Sequence, residues 1–243
     1  MFIKCIYLLK NKTKMENYIQ VNSISEVERV DFYKKTYLHV AYGVLVFILV
    51  EYLMLSSDAI VKLALSLTQG KMWFIMLGGF MLATSYAEKM AIKSHDRNKQ
   101  YLGYLIYIIA EAFIFVPMLY IATTIDGGGQ ILKQASVLTL SLFTGLSAVV
   151  LFTKKDFSFM KRFLTIGFFI ALGLIAAGLL FGFNLGLWFS VGMIVLAAGS
   201  ILYQTSNLIH QYSTDQYVSA AIGLFASLML LFWYILSIFL SRD

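Results

Sequence analysis

Charged residues are scarce in this sequence. Asp, Glu, Lys and Arg make up 13% of its 243 residues, whereas apolar residues make up 60%. Soluble domains carry about 25% charged residues, so this chain lacks the charge that a water-facing surface needs. The composition therefore excludes an ordinary soluble protein and indicates a polytopic membrane protein.

Cysteine and the usual motifs of soluble enzymes are also lacking. Cys5 is the single cysteine, which excludes a disulfide within the chain. The sequence contains no phosphate-binding loop, no dinucleotide-binding fingerprint and no paired-cysteine or HExxH metal motif. Its basic residues are spread over loops, without the basic and aromatic interleaving of a nucleic-acid-binding surface. We therefore expect no catalytic residues, no cofactor, no metal and no nucleic-acid partner.

Several apolar segments are long enough to cross a bilayer as helices, since about 20 residues suffice. We predict an all-α bundle of seven transmembrane helices, with a cytoplasmic tail at residues 1–35 and the membrane domain at 36–243. The second span is the weakest, because Glu88 and Lys89 lie at its end. The predicted spans are 37–55, 71–91, 101–123, 133–152, 161–182, 186–206 and 216–240.

The segment Ser56–Gly70 lies between the first two spans and has an amphipathic pattern. Ile60, Leu63 and Leu67 recur at helical spacing, with Asp58 on the opposite side. A helix of this kind either lies in the membrane interface or extends a neighbouring span.

The N-terminal end lacks the pattern of a secretory signal peptide. Its apolar run, Cys5–Leu9, is too short for one, and no small-residue cleavage site follows. Met15 is a second possible start. We therefore expect the first span to direct the chain to the membrane.

Besides Glu88, two acidic residues and the only proline lie inside predicted spans. Glu111 is near the middle of the third span, where a charged acid costs about 2.5 kcal/mol or more. It is either protonated and bonded to another helix, or a proton- or cation-responsive site. Pro117, further along this span, weakens the helix and frees a carbonyl, which is consistent with a gated pore or with a simple kink. Glu51 is expected to reach the headgroups from the first span.

A polar segment stands at the end of the sixth span. Gln204, Thr205, Ser206 and Asn207 are consecutive, and His210 follows them. Polar groups are costly inside a bilayer, so we expect a chain that keeps this segment at a membrane edge to use it.

This segment and three others resemble the Bax inhibitor-1 (transmembrane BAX inhibitor motif) family. Ile201–His210 resembles the signature of its sixth span, and Thr153–Phe159 resembles its loop between spans 4 and 5. Phe32–Tyr37 resembles the basic and aromatic start of its first span, and Pro117 falls where the family has a proline. The resemblance is strongest from about Thr144. It implies seven transmembrane helices with the last at the centre of the bundle.

The resemblance also bears on gating. In calcium-leak members of the family, two aspartates on spans 6 and 7 form a pH-sensing latch, because two acids in one site share a proton at neutral pH. Gln204 and Ser227 stand at these positions here. They can bond each other but do not titrate. The resemblance thus implies that this chain lacks the pH-gated calcium leak of those members.

The polar segment is most similar to that of the bacterial YccA-like branch of the family, which also lacks the aspartate of span 7. This likeness implies an inner-membrane protein that binds the membrane-anchored AAA protease FtsH with its HflK/HflC partners and restrains it as a slow substrate. The alternative is a cation (calcium) leak or proton-linked channel in which Glu111 replaces the latch. An integral-membrane enzyme would need a catalytic cluster at one depth, and the sequence offers only scattered single residues.

The Lys and Arg residues predict the orientation. Fifteen of the 19 fall in the N-terminal tail and in the loops after the second and fourth spans, and four fall on the opposite side. Because basic loops favour the cytoplasm, we expect the N-terminus inside and, with seven spans, the C-terminus outside.

Labelling Cys5 and a cysteine introduced near Asp243 from each side of the membrane tests this orientation. Labelling of both from the same side would mean an even number of spans or a re-entrant final helix.

Overall fold

The described part of the chain is almost entirely helical. The computed structural model describes residues 25–93, 96–182 and 184–241. The helices are α1 (Glu26–Leu55), α2 (Asp58–Leu67), α3 (Met72–Lys93), α4 (Arg97–Thr124), α5 (Gly128–Thr153), α6 (Met160–Phe181), α7 (Gly186–His210) and α8 (Tyr217–Leu240). The predicted all-α fold is confirmed.

Most of the helices are suited to a membrane. Six of them, α1 and α4 to α8, are long and apolar enough to cross one, and α2 with α3 forms a bent pair that gives up to seven spans. The 22 residues of α3 extend about 33 Å at 1.5 Å per residue, which is enough to cross the hydrocarbon core. The predicted spans coincide in order with α1, α3, α4, α5, α6, α7 and α8. The polytopic bundle is confirmed, with a count of six or seven.

The first helix begins inside the predicted tail. The Ser25 hydroxyl accepts a hydrogen bond from the Glu28 N–H, and the Glu28 carboxylate accepts one from the Ser25 N–H, so the two form a capping box. Residues 26–35 are therefore helical and continuous with the first span, and Phe32 is buried within them. The predictions that concern residues 1–24, including the possible start at Met15, lie outside the described residues.

The amphipathic segment forms a separate helix, α2, at an angle of 109° to α3. Its buried residues are Val61 and Ala64, which pack with Val116 of α4. The predicted apolar face is therefore displaced, since Leu63 is 53% exposed.

The last helix, α8, occupies the centre of the bundle. It packs on α1, α3, α4, α5 and α7, and its sequence contains no charged residue. Leu224, Phe225, Leu231 and Leu236 are completely buried. A helix that is apolar on all sides is stable only when other helices surround it or lipid does, and here helices do. This position agrees with the expectation from the family resemblance.

Helices α1 and α4 are joined by a close contact between the middle of α1 and the first third of α4. A side chain at Gly43 would place its Cβ 2.0 Å from the hydroxyl of Tyr104, so glycine is required there. That hydroxyl donates a hydrogen bond to the carbonyl of His39 at 2.9 Å. The His39 Nε2 atom in turn lies 3.1 Å from the hydroxyl of Tyr101. We call this end of the bundle, which holds the starts of α1, α4, α6 and α8, the basic end.

In contrast, α6 is peripheral. It packs on α7 and makes no extended contact with α3 or α8. A Cβ atom at Gly167 would lie 2.4 Å from Cδ2 of Leu196, and one at Gly199 would lie 2.8 Å from Cε of Met160, so these glycines bring α6 and α7 close together. The attachment of α6 to α7 alone leaves a gap between α6 and α3.

Candidate functional site

A cavity of about 320 Å³ lies beside this gap, between α3, α4, α6, α7 and α8. Its walls are mainly apolar, but polar side chains from four helices face it. They are Thr84, Ser85 and Glu88 of α3, Glu111 of α4, Ser200 and Gln204 of α7, and Ser219 and Ser227 of α8. Three predicted site residues that are distant in the sequence, Glu111, Gln204 and Ser227, therefore share one cavity.

Glu111 is the more deeply buried of the two carboxyl groups that line the cavity. It is 6% exposed, and its Oε2 atom has no hydrogen-bond partner. Tyr107 lines the cavity one turn before it on the same face of α4. Buried polar atoms are nearly always bonded, so an unpartnered carboxyl oxygen at a cavity marks a place where a proton, a cation or another donor can be held.

Gln204 and Ser227 stand at the positions of the two latch aspartates, but their contacts differ from those that this alignment suggests. Gln204 faces α8 at Gly223, where an added Cβ would lie 2.8 Å from its Oε1 atom, and this oxygen has no partner. The Ser227 hydroxyl donates to the carbonyl of Gly223 at 2.9 Å and lies 2.8 Å from the Ser200 hydroxyl. The bond that Gln204 and Ser227 could form is thus replaced by a bond between Ser200 and Ser227.

Two further residues of the predicted spans do not line the cavity. Glu51 is 4% exposed, and both of its carboxyl oxygens lack partners. The expectation that it reaches the headgroups is wrong, because the buried stripe of α1 continues through Phe47 to Glu51. Pro117 is buried in α4, which remains helical through it.

The polar segment at the end of α7 holds the loop between α5 and α6. Ser206 is completely buried, and its hydroxyl accepts a hydrogen bond from the N–H of Phe157 at 2.9 Å. The same hydroxyl donates to Oδ1 of Asp156 at 3.4 Å, and this oxygen also accepts from the N–H of Ser158 at 2.8 Å. Two motifs that are distant in the sequence therefore meet in one junction at the basic end.

The remaining residues of this segment are buried or partly buried. Thr205 Oγ1, Asn207 Oδ1 and His210 Nε2 have no hydrogen-bond partner. The Tyr37 hydroxyl is near the hydroxyls of Ser147 and Thr205, but none of the three meets hydrogen-bond geometry. A cluster of this kind offers the polar partners that a buried water requires.

The junction also affects the charge of Asp156, which lies outside the spanning helices. Hydrogen bonds from Ser158, with contributions from His210 and Ser206, lower the pKa of Asp156. A carboxyl group whose pKa is lower in the folded state contributes stability above its unfolded pKa and loses it as the pH falls through the folded value. The junction therefore keeps its charge at neutral pH and weakens only in acid.

Metal binding has no support in the described ranges. Within residues 25–93, 96–182 and 184–241, no group of three His, Cys, Asp or Glu side chains is placed to hold a metal ion. The polar groups at the cavity and at the junction instead suit a protein whose buried hydroxyls and amides organise helices.

The chain is similar to a known protein family and to several individual proteins. A family model described as inhibitor of apoptosis-promoting Bax1 matches residues 29–243. The chain belongs to the Bax inhibitor-1 family. The resemblance of the four sequence motifs is thereby confirmed, and the junction shows that two of these motifs are in direct contact.

Individual proteins are similar to this chain over part of their length. An uncharacterized protein of Pseudomonas aeruginosa is 40% identical over 51% of this chain and 55% of its own length. The modulator of FtsH protease YccA of Escherichia coli is 34% identical over 59% of this chain and 62% of its own length. Protein LIFEGUARD 4 of Arabidopsis thaliana is 30% identical over 62% and 60%. The chain thus matches less than two thirds of the length of each relative.

The junction gives a testable prediction. Replacing Ser206→Ala leaves the N–H of Phe157 without its buried acceptor, which should cost about 1–3 kcal/mol of stability. We expect a lower midpoint of thermal unfolding for the purified protein in detergent. Ser190→Ala, a buried serine near the other end of α7, is the matched control and should unfold close to the parent. Equal midpoints for Ser206→Ala and the parent would show that the junction does not hold the loop.

Proposed function

We propose that this chain is an inner-membrane protein that binds and modulates an FtsH-type protease with its HflK/HflC partners, and that it does so without enzymatic activity of its own. The observation that carries the proposal is the similarity to the modulator of FtsH protease YccA, within a family that the chain shares. The cavity supports it indirectly. Its α7 and α8 side presents Gln204, Ser200 and Ser227, which do not titrate, in place of an acidic latch.

The physical argument concerns extraction from the membrane. The backbone groups of the spanning helices are bonded within each helix, and the central α8 is enclosed by five others, so a protease that pulls this bundle meets high resistance. A segment before the bundle offers a handle for engagement. Residues 1–24 include four Lys and three Asn, and they precede Ser25, the N-cap of the first described helix. Slow degradation of an engaged substrate would restrain the protease.

Removal of the handle tests the proposal. We expect deletion of residues 2–24, which keeps Ser25 and the capping box of α1, to slow turnover of the protein in cells that contain the protease. A chain whose residues 2–24 are replaced by a Gly/Ser segment of equal length is the matched control and should be degraded like the parent, because a flexible segment of the same length also offers a handle. The readout is a chase of protein level with and without the protease. Equal lifetimes of all three chains in both strains would contradict the proposal that the protease engages the protein through residues 2–24.

A cation leak or proton-linked channel is a second candidate, and one observation favours it. The unpartnered carboxyl oxygen of Glu111 faces the same cavity as Gln204 and Ser227. The cavity therefore holds an acid, although on α4 and not at the latch positions on α7 and α8.

Calcium flux separates the two candidates. With the protein in liposomes between about pH 6 and pH 8, we expect no steep pH response that depends on Gln204, since neither Gln204 nor Ser227 titrates in this range. A response that vanishes in Gln204→Ala would contradict this. A response that vanishes in Glu111→Gln but persists in Glu51→Gln, another buried acid outside the cavity, would favour the channel over the protease modulator.

A further inference from the structure

The cavity is a narrow slot with a sideways opening. Along α3 its lining extends from Leu77 to Ile92, which is about 22 Å at 1.5 Å per residue. Met81 and Ile92 on this edge are 40% and 37% exposed, and Leu172 of α6 lines the other edge. Because α3 and α6 make no extended contact, the slot opens between them toward the lipid-facing side of the bundle. A molecule dissolved in the bilayer can therefore reach it without crossing the basic end.

The charge of the slot has one sign. Among the described residues that line it, the titratable ones apart from Tyr107 and Tyr234 are Glu88 and Glu111, and none is a Lys, Arg or His. Glu111 and Gln204 both line the slot, and Oε2 of Glu111 and Oε1 of Gln204 have no hydrogen-bond partner. An anion in this slot would be repelled by the carboxylates, whereas a donor with a positive charge would pair with Glu111.

We propose that this slot binds a lipophilic ammonium ion, a protonated amine with a single apolar body, which enters from the bilayer between α3 and α6 and pairs with Glu111. The ammonium group has three donors, and its hydrogen bonds to a carboxylate are strengthened by charge. The apolar walls bury the body of the ligand, and a volume of about 320 Å³ lies at the small end of known ligand sites. A zwitterionic phospholipid fits poorly, because its phosphate would find no cationic partner among the described lining residues.

Binding of n-hexylammonium tests this proposal independently of any protease. With the full chain in nanodiscs and a radiolabelled ligand, we expect saturable binding that unlabelled n-hexylammonium displaces and that n-hexanol and hexanoate do not. Glu111→Gln should weaken the affinity about ten-fold or more, since it removes a charge-assisted hydrogen bond. Glu51→Gln, which changes a buried acid outside the slot, is the matched control and should keep the affinity of the parent.

A second variant covers the case in which Glu111→Gln fails to fold. Leu172→Trp narrows the slot from the peripheral helix α6 without touching Glu111, and we expect it to weaken binding while the thermal midpoint is retained. Equal competition by n-hexanol would overturn the proposal in favour of a purely apolar cavity. Displacement by calcium at the same concentration would overturn it in favour of an inorganic cation site, and unchanged affinity in both Glu111→Gln and Leu172→Trp would place the ligand elsewhere.

Discussion

The arrangement of the bundle depends on the complete enclosure of α8. This helix has no charged residue, and five helices pack around it. Two of its serines carry hydroxyls into the interior, and each finds a carbonyl: Ser219 donates to Ala91 of α3 at 3.1 Å, and Ser227 donates to Gly223. Within a bilayer such groups must be satisfied by the protein itself. The central helix thus positions its neighbours without introducing an unpaired hydroxyl at these two points.

The peripheral α6 is held by a different combination of contacts, and the cavity is a consequence. Gly167 and Gly199 let α6 lie directly against α7, and the hydroxyl of Ser206 fixes the loop that precedes α6. Neither contact draws α6 toward α3, so the gap between them is retained. Glu111 and Gln204 line the cavity beside this gap, and Oε2 of Glu111 and Oε1 of Gln204 have no partner there.

Hydropathy and motif spacing predict the helices well but not the relations between them. The seven predicted spans match helices, because length and composition alone decide whether a segment suits a bilayer. Glu111 and Gln204 line the same cavity because α4 and α7 are rotated about their axes in a particular way. The packing of the helices determines that rotation, and hydropathy does not. The sequence did indicate that Glu51 is buried, since Val40, Gly43, Phe47 and Glu51 recur at intervals of three and four residues and so share one face of α1. The displaced face of α2 shows that the contact with Val116 outweighs local periodicity.

The carboxyl groups of the cavity stand on α3 and α4, and this decides where a change of charge can act. In an acidic latch the two acids lie on helices that face each other, so a shared proton acts directly between those helices. Here α7 and α8 are joined by the bond of 2.8 Å between the hydroxyls of Ser200 and Ser227, neither of which changes charge near neutral pH. Glu111 belongs to α4, which packs along α3 at the edge of the gap. A proton or cation at Glu111 therefore acts on the α3–α4 side of the cavity, while the contact between α7 and α8 stays closed by its own hydrogen bond.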